Sequence, residues 1–473
     1  MDELCLKPAT ELARLVRTRE VSAVELLDTH LARIDACNPD LNAIVTLVPE
    51  RARALAEAVD QRLARGEATG ALGGLPIAHK DLLPTAGIRT TMGSPIFANH
   101  VPETDALIVT RMREAGAVTI GKTNVPEFGA GSQTFNRVFG ATRNPYDTSR
   151  TCGGSSGGAG VALATGMVPI ADGSDMGGSL RNPGNFCNVV GFRPSGGRVP
   201  SWPGELGWFT IPVLGPMART VADAALLLSV MAGPDPRVPA ALDEPGATFA
   251  QDLGRDFKDV RVALSTNFGH LPVDPEVRQV IAGAAPVLES LGCIVEEGCP
   301  DFEPADGIFK TLRAWSFAHG HRERIRTRRE DYKDTIIWNV EAGLELTGED
   351  VANAEAARTA LFQKVQAYLA EREFLILPVS QVPPFPIDTE WVQEIDGVTM
   401  ETYIDWMKSC YYISAIGLPA ISVPCGFTAS GLPVGLQIVG RHHADLSVLQ
   451  LAHAFEAATQ TWKRHPSGLP DNV

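Results

Sequence analysis

Two short glycine-rich segments, each holding a serine and each bordered by apolar runs, constrain this chain more than any other feature. The first is Thr151-Cys152-Gly153-Gly154-Ser155-Ser156-Gly157-Gly158 and the second is Asp175-Met176-Gly177-Gly178-Ser179-Leu180-Arg181-Asn182-Pro183. Glycine lets a backbone bend sharply and brings its N–H groups close to a bound group. A flexible linker of this composition would not be bordered by Val161-Ala162-Leu163-Ala164 and Val168-Pro169-Ile170-Ala171, which belong in a core. A phosphate-cradling loop would need Gly-Lys-Ser/Thr, and none follows. Residues 153–157 also fit the G-x-S-x-G nucleophile elbow, as does the frame one residue later. That motif follows a buried strand, whereas residues 144–150 read as a polar turn.

A serine is a poor nucleophile at neutral pH unless a base takes its proton. Neither segment contains a histidine. Upstream, Leu75-Pro76-Ile77-Ala78-His79-Lys80-Asp81 sets a lysine in an apolar run, which makes Lys80 the candidate base. A lysine acts as a base only when neutral, and burial lowers its pKa in that direction. A second serine can relay the proton, because a hydroxyl both donates and accepts. Asp175 and Arg181 flank Ser179 and read as a buried ion pair bracing the loop. His79 adjoins Lys80 but points to the opposite face of a strand, so it packs rather than reacts.

In this order and spacing the three segments resemble the amidase signature family of serine hydrolases, over roughly 73–223. The resemblance implies a Ser-cisSer-Lys triad. Ser179 would be the acyl-accepting nucleophile, Ser155 the bridging serine after a cis peptide bond, and Lys80 the terminal base. Met176, Gly177, Gly178 and Ser179 would supply the oxyanion-hole amides, with Ser156, Asp175 and Arg181 in support. The implied fold is α/β, an amidase-signature α/β/α sandwich whose central mixed β-sheet runs through both halves of one domain, 1–473. Within it lie an N-terminal helical layer (1–66), the signature core (73–223) and a C-terminal half (224–473) with a substrate lid at 301–371.

The implied activity is hydrolysis of amide C–N bonds through an acyl-enzyme, with no metal or organic cofactor. Esters and carbamates would be side substrates. The family's aryl-acylamide, cyclic-oligoamide and carbamate hydrolases share the chain's overall texture. The alternative is the glutaminase subunit of a tRNA-dependent amidotransferase. Leu82, Leu83 and Met176 stand where such subunits more often resemble K-D-N and T-D-T. Gly160, Gly184 and Gly196 sit where alanine or proline is expected, which would loosen the loop around Ser179.

Local patterns agree with layered α/β architecture. Ser22-Ala23-Val24-Glu25 is a capping box that opens a helix with Val24, Leu27, Leu31 and Ile34 on its apolar face. A second helix covers 51–65 and stops at Gly66. Strand patterns at 75–78, 118–120, 168–171, 260–264, 293–296 and 374–379 alternate with helical ones at 104–115, 158–164, 220–231 and 275–291. Residues 420–427 and 434–439 read as a hairpin, and 446–458 as a closing helix.

Composition narrows the partners. The 473 residues are 44% hydrophobic and 21% charged, as in an ordinary globular protein. A net charge of −15 disfavours nucleic acid and anionic membranes. No apolar run approaches the ~18 residues of a span. The scattered cysteines show no C-x-x-C spacing and read as thiols of a reducing compartment. The first residues carry no basic and apolar leader pattern, so a cytoplasmic monomer or homodimer acting on a small-molecule amide is expected. His319 with His321, and His442 with His443, make no convincing zinc set. The arginines at 322, 324, 326, 328 and 329 are interrupted by Glu323, Glu330 and Asp331, as on a solvated helix face.

Trp202, Trp208, Phe209, Phe309, Trp315, Phe317 and Trp338 are candidates to line an apolar pocket. Asn182 stands three residues past Ser179, so no arginine is there to pair a substrate carboxylate. Met176 is a flexible apolar gap-filler. The pocket is therefore expected to favour apolar, aromatic groups over charged ones.

Overall fold

The alternating apolar and helical patterns fold as strands covered by helices. In the computed structural model, which describes residues 2–467, a small sheet comprises β1 (Ile44–Leu47), β2 (Pro76–Lys80) and β3 (Val118–Thr123) in the order β1-β3-β2. An eight-stranded sheet follows. Its strands are β4 (Ile170–Asp175), β5 (Val190–Arg193), β6 (Val213–Ala218), β7 (Arg261–Leu264), β8 (Ile294–Glu297), β9 (Phe374–Pro378), β10 (Ala420–Phe427) and β11 (Pro433–Gly440). Their order is β8-β7-β9-β11-β10-β5-β6-β4. The sheet is mixed: β7 runs parallel to β8 and β9, and the remaining neighbours are antiparallel. All residues of β2, β3, β6, β9 and β11 are buried, as in sheets covered on both faces. One apolar cluster extends from Ala9 to Phe455.

The expected central mixed sheet, running through both halves, is this eight-stranded one, and β2 and β3 stand apart from it in the small sheet. The break falls where β2 meets β4. There the Lys80 N–H donates to Asp172 Oδ1 at 2.9 Å, and Asp172 Oδ2 lies 2.6 Å from His79 Nδ1. A side-chain carboxylate takes the place of a strand carbonyl, so the sheets join without a shared ladder. His79 is held structurally, with its other ring nitrogen 3.1 Å from Thr119 Oγ1.

Helix boundaries follow local chemistry. Ser22 and Glu25 form the reciprocal capping box of helix Ala23–Leu41. Its buried face is Leu26, Leu27, His30, Arg33 and Ile34, while Val24 and Leu31 are only half-buried. The helix expected over 275–291 is two, Pro275–Ala282 and Ala285–Ser290. Gly283 is a poor helix former, and Pro286 suits a first turn because its missing N–H is not needed there.

Gly160, Gly184 and Gly196 do not loosen anything. A Cβ at Gly184 would lie 3.0 Å from Gly191 N and Val189 O, one at Gly196 2.8 Å from Thr210 Cβ, and one at Gly160 3.2 Å from Cys187 Sγ. At all three positions neighbouring atoms approach closely, most tightly at Gly184 and Gly196.

The charged segment at 301–371 forms helices Ala305–Arg328, Asp334–Glu345 and Gly348–Ala370. No helix among the described residues is long and apolar enough to cross a membrane.

Candidate active site

Lys80 is the last residue of β2 and is fully buried. Its Nζ lies 2.8 Å from Ser155 Oγ, 2.8 Å from Ser156 Oγ and 2.9 Å from Ser174 Oγ. The Ser174 carbonyl is at 3.3 Å. Burial pushes the Lys80 pKa down to about 7, although the charges of Asp175 and Asp172 oppose the shift. Near neutral pH a large share of this amine is therefore unprotonated and has a lone pair to offer. The sequence motifs do not single out Ser174. The signal for it was strand alternation, which turns Ser174 to the face opposite Asp175.

The first serine loop is held by its carbonyls. Ser132 Oγ donates to Gly154 O at 2.7 Å, and Thr134 Oγ1 donates to Gly153 O at 2.8 Å. The Gly154–Ser155 peptide is cis. Helix Gly157–Ala164 starts just beyond. The Ser156 N–H donates to Ser179 O at 3.2 Å, which joins the two serine loops.

The second loop is organised around the Asp175 carboxylate, which is fully buried. It accepts from Arg181 Nε and Nη2, each at 3.0 Å, and from Arg193 Nη1 at 3.1 Å. Burial alone would raise its pKa, but the two guanidinium groups hold it well below the usual carboxylate range. The expected Asp175–Arg181 pair is present, and Arg193 is a third member that sequence reading missed. Arg181 also ties the loop to helix Lys408–Ala415, donating to Cys410 O at 2.9 Å and Ser414 Oγ at 2.7 Å.

The same carboxylate accepts the Gly178 N–H at 2.9 Å and the Leu180 N–H at 3.2 Å. The Gly178 amide is committed to Asp175, whereas those of Met176, Gly177 and Ser179 have no acceptor among the described residues. Gly178 has φ +116°, and a Cβ there would sit 2.5 Å from Cys410 Cβ, so only glycine fits.

Ser155 and Ser179 open onto one cavity of about 190 Å³. Leu82, Phe128, Met176, Phe309, Phe317 and Met407 give it an apolar wall. A neighbouring cavity of about 290 Å³, lined by Leu206, Phe209 and Val213, shares Ser174, Met176 and Pro212 with it. Of the aromatic candidates, Phe309 and Phe317 line the first cavity and Phe209 the second. Trp315 packs edge-on against Phe209, Trp202 lies under Arg237, and Trp208 is 79% exposed. Trp338 lines a separate hollow.

One residue in the wall contradicts the expectation of a pocket without a cation. Arg313, on helix Ala305–Arg328, lies between Phe309 and Phe317 at successive turns and faces the same cavity. The periodicity of Phe309, Arg313 and Phe317 was the available signal.

A profile of the amidase family matches residues 25–449 of the chain. The chain is 36% identical to the acylamidase of Rhodococcus erythropolis, over 97% of each protein. It is 38% identical to a glutamyl-tRNA(Gln) amidotransferase subunit of Geobacillus kaustophilus (strain HTA426), over 97% of this chain and 98% of that one. Among solved structures, a bacterial aryl acylamidase superposes with a TM-score of 0.90 at 30% identity, over 98% of this chain and 99% of the other. A 6-aminohexanoate cyclic dimer hydrolase gives 0.89 at 29% identity, over 98% of this chain and 100% of the other. With two loop serines at one cavity, a buried lysine bonded to the first of them, and matches that span nearly its whole length, the chain belongs to the amidase family of amide-hydrolysing enzymes.

Proposed function

We propose that this protein is a serine amidohydrolase that acts without a partner, as a monomer or homodimer, on small amides with apolar or aromatic bodies. Ser179 Oγ attacks the amide carbonyl as its proton passes through Ser155 to neutral Lys80. The N–H groups of Met176, Gly177 and Ser179 receive the oxyanion. The intermediate collapses with cleavage of the C–N bond, and the proton returns through Ser155 to the leaving amine. Water then repeats the sequence on the acyl-enzyme. The observation that carries this reading is the 2.8 Å contact between Lys80 Nζ and Ser155 Oγ, at a cavity that Ser155 shares with Ser179. Esters and carbamates pass through the same tetrahedral intermediate, so urethane cleavage is a side activity of this mechanism. A fluorophosphonate probe should label Ser179, located by peptide mapping; label on Ser155, or on no serine, overturns the assignment.

The relationship to the glutamyl-tRNA(Gln) amidotransferase protein, at 38% identity, favours a second reading as a glutaminase that passes ammonia to a partner. The isolated chain assayed on an anilide and on glutamine separates the two. Turnover of the anilide alone supports the hydrolase, and activity confined to glutamine or to a complex supports the amidotransferase.

A further inference from the structure

Arg313 is 5% exposed, yet no carboxylate lies within ion-pair distance of it among the described residues. Its Nη1 donates to Asn339 Oδ1. Its guanidinium lies 4.1 Å from the Phe317 ring centroid and 5.6 Å from that of Tyr403. Nε and Nη2 donate to no protein acceptor among the described residues. A guanidinium stays charged at all relevant pH values and carries five donors, so most of its hydrogen-bonding capacity is unused. The unused Nε–Nη2 edge is one that grips a carboxylate with two parallel hydrogen bonds. These nitrogens are open to the cavity, where a ligand anion can supply the counter-charge that the protein does not.

A second cation stands nearby. The ammonium of Lys333, which also feels the carboxylates of Glu390 and Glu127, sits over the Phe135 ring at 4.5 Å and beside Gly131, which lines the catalytic cavity. The other charged group of the wall, Asp175, is already held by Arg181 and Arg193. The free charge facing this cavity is positive, and it stands between two phenyl rings.

We propose that Arg313 is a specificity-determining residue that pairs with a carboxylate of the substrate, so that the preferred amides carry an anionic group joined through an apolar spacer. The proposal rests on hydrolysis at Ser179 for its kinetics but not for its binding. Three matched anilides test it. Pentananilide is neutral, glutaranilate places a carboxylate on the acyl side, and 4-pentanamidobenzoate places one on the leaving amine. One of the two anions should exceed pentananilide in kcat/KM by about 10-fold or more. Arg313→Met should reduce that ratio by about 30-fold or more, as for truncating one partner of a buried charge pair, and Arg313→Lys should restore part of it. Calorimetry on Ser179→Ala, with Arg313 intact, covers the case in which Arg313→Met fails to fold: the favoured anion should bind more tightly than pentananilide, and less so as salt rises. If neither anion is preferred in turnover or binding, or if the preference survives Arg313→Met, the proposal is wrong. Anion-selective binding together with hydrolysis that persists in Ser179→Ala would overturn the serine mechanism and leave the Arg313 assignment standing.

Discussion

Arg193 grips Asp175 twice: Nη1 donates to the carboxylate Oδ1 at 3.1 Å and to the main-chain carbonyl at 2.6 Å. One guanidinium therefore fixes both the backbone and the side chain of the residue that positions Gly178 and Leu180 on either side of Ser179. Arg193→Met should cost about 3–5 kcal/mol, because it leaves part of a buried charge network unmatched. It should also lower kcat more than it changes KM, since the loop geometry suffers before the substrate wall does. Urea unfolding and steady-state kinetics on one variant check both halves. Arg193→Lys should not rescue it, because a single ammonium cannot reproduce the fork.

In the proposed mechanism Lys80 sets the pH dependence. As a base it works only when neutral, and burial places its pKa at about 7. The rate should rise with pH, reach half its plateau near that value, and level off above it. Lys80→Ala should lower the acylation rate by at least about 10²-fold, the low end for losing a general base. A pre-steady-state burst with an activated amide, followed across pH, checks this. A wild-type rate that is flat through neutral pH would place the base elsewhere.

Ser174 offers a subtler test. Its hydroxyl and carbonyl both accept from Lys80 Nζ, at 2.9 Å and 3.3 Å. Acceptors favour the protonated lysine, so removing the hydroxyl lowers the Lys80 pKa further. Ser174→Ala should therefore shift the rising limb of the pH–rate profile to lower pH while most of the plateau rate remains. A shift to higher pH would mean that this hydroxyl donates to the amine.

Two close-packed glycines should respond differently to alanine. At Gly184 a Cβ would meet two backbone atoms at 3.0 Å, which do not yield easily. Gly184→Ala should destabilise by about 1–3 kcal/mol, as overpacking does. Gly160 lies within helix Gly157–Ala164, and a Cβ there would meet Cys187 Sγ and Pro183 O, each at 3.2 Å and so less crowded than at Gly184. There the helix-propensity gain of about 1 kcal/mol offsets the crowding, so Gly160→Ala should be near neutral. Chemical denaturation of the pair decides between close packing and the loosening that sequence alone suggested.

The strands that carry the site were legible because their apolar runs are short and bounded by turns. Lys80, Ser155, Ser156, Asp175, Arg181 and Ser179 stand in motifs whose glycines and charges have few other uses. What could not be read depends on contacts distant in sequence. Arg193 reaches Asp175 from a different strand, and Arg313 reaches the cavity from a helix whose other arginines are exposed. The Gly178 amide is bonded by Asp175 only three residues away, in a loop turn that periodicity does not reveal. The break between sheets hinges on one carboxylate, Asp172, standing in for backbone, and neither periodicity nor composition encodes that.

The helix bearing Phe309, Arg313 and Phe317 lies far along the chain from the loops that hold Lys80 and the serines. Its three inward positions recur at a helical repeat, so each can change without shifting the register of its neighbours. Part of the cavity wall is thereby carried on a stretch of polypeptide separate from the lysine and the serines. A lineage can exchange one apolar or charged side chain on that face and acquire a new diet while its reaction machinery stays untouched.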